Sequence, residues 1–273
     1  MLGKLLKYEI EHSARYVSII YACAGAVTVL MLIAMLAKMT WLSVIGSLVL
    51  YFVGIAAVFM TLVSVIRNFY DTLYSRQGYL TFTLPVKSSQ LLFSKVVVSF
   101  FWIILSCVLM ALIIGVIGLN ASRQSDESLS GILEVIKGSG ILDMLPSKWL
   151  VMKLLFILAI VALLNILTFV GFVYFSVTLS NTRALQKHPK LFGFLIFFGT
   201  FAVANAINMK LTYSLPLAVH VTSEKVYLAF ESMDTMSESL FSYGVGGAIF
   251  MGLVALGLLI LTGWIMEQKV NIK

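Results

Sequence analysis

Hydrophobic and polar positions divide the chain into six apolar runs, 17–37, 41–66, 96–119, 154–180, 191–209 and 242–266. Each is near or above the ~20 residues that carry a helix across a hydrocarbon core. None of them holds an acidic or basic residue. The pattern predicts an all-α, polytopic integral membrane protein with six transmembrane helices. Only Lys38, Met39 and Thr40 join the first two runs, so these form a tight helical hairpin. The third helix is expected to begin near Ser89, ahead of its apolar run, so its first turns project from the bilayer. The expected organisation is a single transmembrane domain, 1–273. It divides into an interfacial helix (1–16), a hairpin (17–66), a cytoplasmic segment (67–95), four further spans with two outer loops (96–266) and a tail (267–273).

The segment before the first run is amphipathic. Leu2, Leu5, Leu6 and Ile10 fall on one helical face and Lys4, Lys7, Glu11 and Arg15 on the other. Glu9 and Glu11 are foreign to a signal peptide, which would also show a short apolar core and a small-residue cleavage site. An interfacial helix with its lysines near anionic headgroups is expected. A frayed tail is the alternative.

The most patterned polar stretch is 67–95, between the second and third runs. Ile66, Phe69, Tyr70, Leu73 and Tyr74 recur at helical spacing as one apolar stripe. Asp71, Ser75 and Arg76 lie on the other side, and Gly78 stands where a helix would end in a left-handed cap. Leu80, Phe82 and Leu84 then alternate with Tyr79, Thr81 and Thr83, and Pro85 keeps Leu84 extended. Ser88 or Ser89 can cap the next helix. A helix, a turn, an extended link and a new helix between two spans suit a piece that touches something outside the membrane.

Two outer loops are long enough for structure of their own. Residues 128–137 read as a short helix ending at Gly138, and 222–231 as another, after a break at Pro216. They suit a lid or substrate exit, or equally solvated connectors.

Composition agrees with the pattern. Of 273 residues, 60% are hydrophobic and 11% charged, and mean hydropathy is +1.02; a soluble domain is about 45–50% apolar and about 25% charged. With the N-terminus inside, twelve of the nineteen basic residues face the cytoplasm, which nets +8 against −1 outside. Both termini are then cytoplasmic. The formal charge of +7 is the positive-inside bias and does not call for nucleic acid. Cys23 and Cys107 fall in apolar runs and read as buried free thiols.

Several chemistries are missing from the sequence. There is no Gly-x4-Gly-Lys-Ser/Thr phosphate loop and no His-Glu-x-x-His. His12, His188 and His220 do not readily converge on one metal, and no carboxylate pair or other ionisable group lies within the spans, as a coupled carrier would keep. The expectation is a chain that is not an enzyme and binds no cofactor or metal. Asn165, Asn205 and Asn208 could line a polar path, or simply hydrogen-bond between helices.

On these residues the chain resembles an ABC transporter permease of the ABC two-type exporter family. Topology carries the likeness over nearly the whole length. A narrower likeness is Phe-Tyr-Asp-Thr-Leu-Tyr-Ser at 69–75 followed by Gly-Tyr-Leu-Thr-Phe-Thr-Leu-Pro at 78–85, which is similar to a segment of permeases from Gram-positive bacteria. Arg76 and Gln77 stand where those permeases often have an acidic residue.

The resemblance implies the permease subunit of an ATP-driven exporter in the cell membrane. A separate cytoplasmic ATPase, holding ATP and magnesium, would dock on a coupling helix over 69–77. Its contacts would come from Phe69, Tyr70, Asp71, Leu73, Tyr74, Ser75, Arg76 and Gln77. A second permease copy or sister permease would complete the path, with Thr61, Asn205 and Asn208 as candidate lining. An apolar lining suits an amphiphilic substrate: a lipid, an antimicrobial peptide or a hydrophobic drug. The alternative is a non-transporting immunity or regulatory protein that binds a peptide or a membrane partner.

Overall fold

Six long helices carry the chain: α1 (Leu2–Leu36), α2 (Thr40–Tyr74), α3 (Ser88–Gln124), α4 (Lys148–Ser180), α5 (Pro189–Ser214) and α6 (Val245–Gln268). All six are long and apolar enough to cross a membrane. The chain is a multi-pass membrane protein. A computed structural model describes residues 2–37, 40–75, 88–124, 148–182, 185, 187–214, 217–221, 226–230 and 241–268. The expected outer helix at 128–137 lies outside these, as do Arg76, Gln77 and the 78–85 motif.

Two of the expected elements merge into their neighbours. The amphipathic segment 1–16 is not a separate helix, because α1 runs unbroken for 35 residues. The 69–77 stretch likewise continues α2, also 35 residues long, as far as Tyr74. A helix of that length spans about 52 Å, well beyond the ~30 Å of a hydrocarbon core. Both helices therefore carry several turns past the bilayer.

The second outer loop corrects the expectation. Where a helix was expected over 222–231, Val226–Phe230 is a strand, β2. It pairs antiparallel with β1 (Leu217–Val221), which also pairs with β3 (Phe241–Gly244) in a three-stranded sheet of order β2-β1-β3. Val, Tyr, Leu and Phe in a run of five suit a pleated surface. A ten-residue helix is marginal in isolation, and β1 supplies the partner that decides the matter. The sheet is pinned where Val219 packs with Val161 of α4 and Val245 of α6.

The chain forms two compact units, Met1–Ile136 and Lys137–Lys273. In the first, α1, α2 and α3 pack pairwise around Met31, Leu50 and Ile113. The Asn120 amide donates to the Ser43 carbonyl at 3.1 Å and ties the far end of α3 to the start of α2. Cys23 and Cys107 are exposed on helix surfaces, not buried as expected; thiols are apolar enough to sit on the lipid-facing side of a span.

In the second unit α4 packs closely on α6. A Cβ on Gly171 would lie 2.9 Å from both the Cβ and the carbonyl oxygen of Ala255. Small residues let two spans approach in this way. Gly171→Val should therefore wedge α4 from α6 at a cost of about 1–3 kcal/mol. Gly257→Val, where nothing lies within 4 Å, should be near neutral. Thermal unfolding of both purified variants checks this; equal midpoints would refute the close packing.

Candidate functional site

The buried face of α1 is marked by Glu9, Ser13 and Val17, at i, i+4 and i+8. Ile10, on the face read as apolar, is exposed, and Glu9 is covered. The cause lies on α3. Lys95 Nζ sits 2.7 Å from Glu9 Oε1, with 1% of the lysine side chain and 11% of the glutamate exposed. Lys95 also donates to the Thr72 hydroxyl on α2, and Thr72 in turn donates to the Asn68 carbonyl at 2.6 Å.

Asn68 completes the cluster from α2. Its amide donates to Glu9 Oε2 at 3.3 Å, so its Oδ1 is the acceptor left for His12 Nδ1 at 2.9 Å. That arrangement places a proton on His12 Nδ1. One turn further along, Trp102 Nε1 donates to the Ser13 hydroxyl at 2.8 Å, and Ser13 donates to the Glu9 carbonyl at 2.6 Å. Arg67 holds Asp71 at 3.1 Å while its guanidinium lies 5.5 Å from the centre of the Tyr16 ring. A cavity of about 150 Å³ opens beside these groups, bounded by His12, Arg67, Ser99 and Trp102.

Three helices are thus fastened by one polar cluster at the N-terminal ends of α1 and α3 and the C-terminal end of α2. A buried ion pair stabilises little by itself, because desolvation offsets the attraction, but breaking it strands a charge. Its effect is to hold the register of the three helices. From the sequence, Glu9 served only against a signal peptide and was not joined to Lys95. The signal was present: an acid spaced i+4 from Leu5 and i+3 from Leu6, on the apolar side of an amphipathic helix, needs a buried partner.

The coupling candidates divide into two groups. Phe69 and Leu73 are fully buried and hold the end of α2 in place. They present almost no surface of their own. Tyr70, Asp71, Tyr74 and Ser75 are half-buried and remain accessible. Tyr74 packs against both Phe69 and Tyr70, with ring centroids 6.1 and 6.4 Å apart.

The path candidates also separate. Thr61 is fully buried in the first unit and donates to the Ala57 carbonyl at 2.8 Å. Asn205 and Asn208 come together in the second unit, with Asn165 and Thr168, on a cleft of about 420 Å³ between α4, α5 and α6. Its other wall is aromatic: Phe169, Phe172, Phe197 and Phe201. The Phe172 and Phe201 rings meet edge to face at 5.7 Å, and Phe197 stacks on Phe201 at 5.9 Å. Gly244 at the end of β3, with Gly247, Ala248 and Met251 of α6, forms the remaining side.

No protein-family model, curated protein or solved structure matches the chain.

Proposed function

We propose that the chain is the permease subunit of an ATP-driven exporter of the ABC two type. It would sit in the cell membrane with both termini in the cytoplasm and move an amphiphilic substrate outward by alternating access. A separate ATPase subunit would supply ATP hydrolysis and magnesium. The observation that carries this reading is the unbroken run of α2 from its span to Tyr74, fastened to α1 and α3 by the Glu9–Lys95 cluster. Force applied at Tyr70, Asp71, Tyr74 or Ser75 would then move three spans together and would not be absorbed by a hinge. The fifth helix adds support: 6% of its most apolar window is buried, against 22–28% for the other five. It would be covered by lipid or by a second permease.

The test is purification from the native membrane. A stoichiometric soluble ATPase should accompany the protein, and Tyr74→Asp should reduce its recovery at least tenfold while the protein stays folded, with at most a small drop in unfolding temperature. If the folded protein brings no ATPase, the exporter reading fails, and an immunity or regulatory protein that binds a peptide or membrane partner takes its place.

A further inference from the structure

The cleft between α4, α5 and α6 is graded along its length. On α4, Asn165 and Thr168 precede Phe172; on α5, Phe197 and Phe201 precede Asn205. These two helices run in opposite directions, joined by the short segment 181–188, so their polar residues share one end and their rings the other. Asn205 lies two turns, about 12 Å, along the helix from Phe197. The Gly244 rim, where β3 passes into α6, marks the polar end.

The polar groups at that end are oriented by their own helices. The Asn165 amide donates to the Val161 carbonyl at 2.9 Å, and the Asn205 amide to Phe201 at 3.0 Å. The Thr168 hydroxyl donates to Leu164 at 2.9 Å. Each of these bonds uses one donor proton. Each carboxamide retains a second N–H and its oxygen, and the threonine oxygen retains its lone pairs. Among the described residues, none of the side chains lining the cleft is charged.

We infer that this cleft is a binding site for an uncharged amphiphile, whose hydroxyl- or amide-bearing head lies among Asn165, Thr168 and Asn205 and whose apolar chain lies against Phe172, Phe197 and Phe201. Its volume falls within the ~300–1,000 Å³ of ordinary ligand pockets. A fully charged head would lose its hydration without gaining a counter-charge, which is costly. A neutral head exchanges water for the carboxamides at little loss. The aromatic wall receives an acyl chain or a flat ring by burial of apolar surface. As a stop on an export route the site rests on the exporter reading, but as a binding site it stands on this gradient alone.

The test uses the full chain in nanodiscs without any ATPase, and three probes of equal chain length with a photoreactive diazirine in the tail. These are a monoacylglycerol, the matching fatty acid and the matching alkyltrimethylammonium. The monoacylglycerol should label α4 and α5 peptides that contain Phe172, Phe197 or Phe201, at least fivefold more than either charged probe. Excess unlabelled monoacylglycerol should suppress the labelling. Asn165→Leu with Asn205→Leu should abolish the preference among the three heads, and Ala248→Trp should remove the labelling by filling the cleft. Equal labelling by all three probes would mean ordinary lipid contact and overturn the proposal. A preference for the ammonium would overturn the neutral-head assignment in favour of ring–cation attraction. Cross-linked pairs of chains without lipid adducts would assign the cleft to a second copy. Because no ATPase is present, labelling can succeed or fail independently of the exporter reading.

Discussion

Lys95→Met is expected to loosen the N-terminal unit by about 3–5 kcal/mol, the usual consequence of removing one partner from a buried ion pair. The Glu9 carboxylate would keep the Asn68 amide but lose its only counter-charge among the described residues. Combining Lys95→Met with Glu9→Leu removes the charge along with its partner. The double variant should return to within about 1 kcal/mol of the parent, or exceed it, since an apolar pair of similar size avoids desolvation altogether. Thermal unfolding of the parent, both single variants and the double, in one detergent, gives the coupling directly. Additive losses would mean that the two groups do not act as a buried pair.

The second large effect separates two adjacent residues on α2. Leu73 has 0% of its surface exposed, and Leu73→Asp would place a carboxylate at a fully buried position that a leucine fills. A cost of about 4 kcal/mol or more is expected, at the level where single changes unfold domains. Tyr74→Asp, one position on, lies on a half-buried ring at the accessible edge and should cost no more than about 1 kcal/mol. Size-exclusion profiles and unfolding temperatures of the two variants check the contrast. A Leu73→Asp protein as stable as the parent would show that this end of α2 is not packed. The contrast also governs how an ATPase-binding defect is read: it is informative at Tyr74, whereas at Leu73 it would merely report unfolding.

The six spans were legible in the sequence because a bilayer imposes one requirement, about 20 apolar residues, that composition alone expresses. The start of α3, at Ser88, was legible for a similarly local reason, a pair of serines able to cap a helix. The sheet was not. Five residues of Val226–Phe230 fit either period, and the choice was made by pairing with β1, which no local pattern announces. The Glu9–Lys95 pair joins positions 86 apart, so each half resembled an ordinary surface charge when read alone. Asn165, Asn205 and Asn208 were visible as polar interruptions of apolar runs. Their convergence, and the separation of Thr61 from them into the other unit, depended on which faces of the helices turn together.

The distance between Glu9 and Lys95 in the chain also sets an order of events during synthesis. At 5–20 residues per second, Lys95 is made roughly 4–17 s after Glu9. For that interval α1 and α2 must wait with an acid on the face they will later bury, kept in water or on the headgroups. The first unit can close only when the start of α3 delivers its ammonium group. A chain that stalls before Ser88 would therefore display Glu9 to the cell's proteases, and a finished one would hide it.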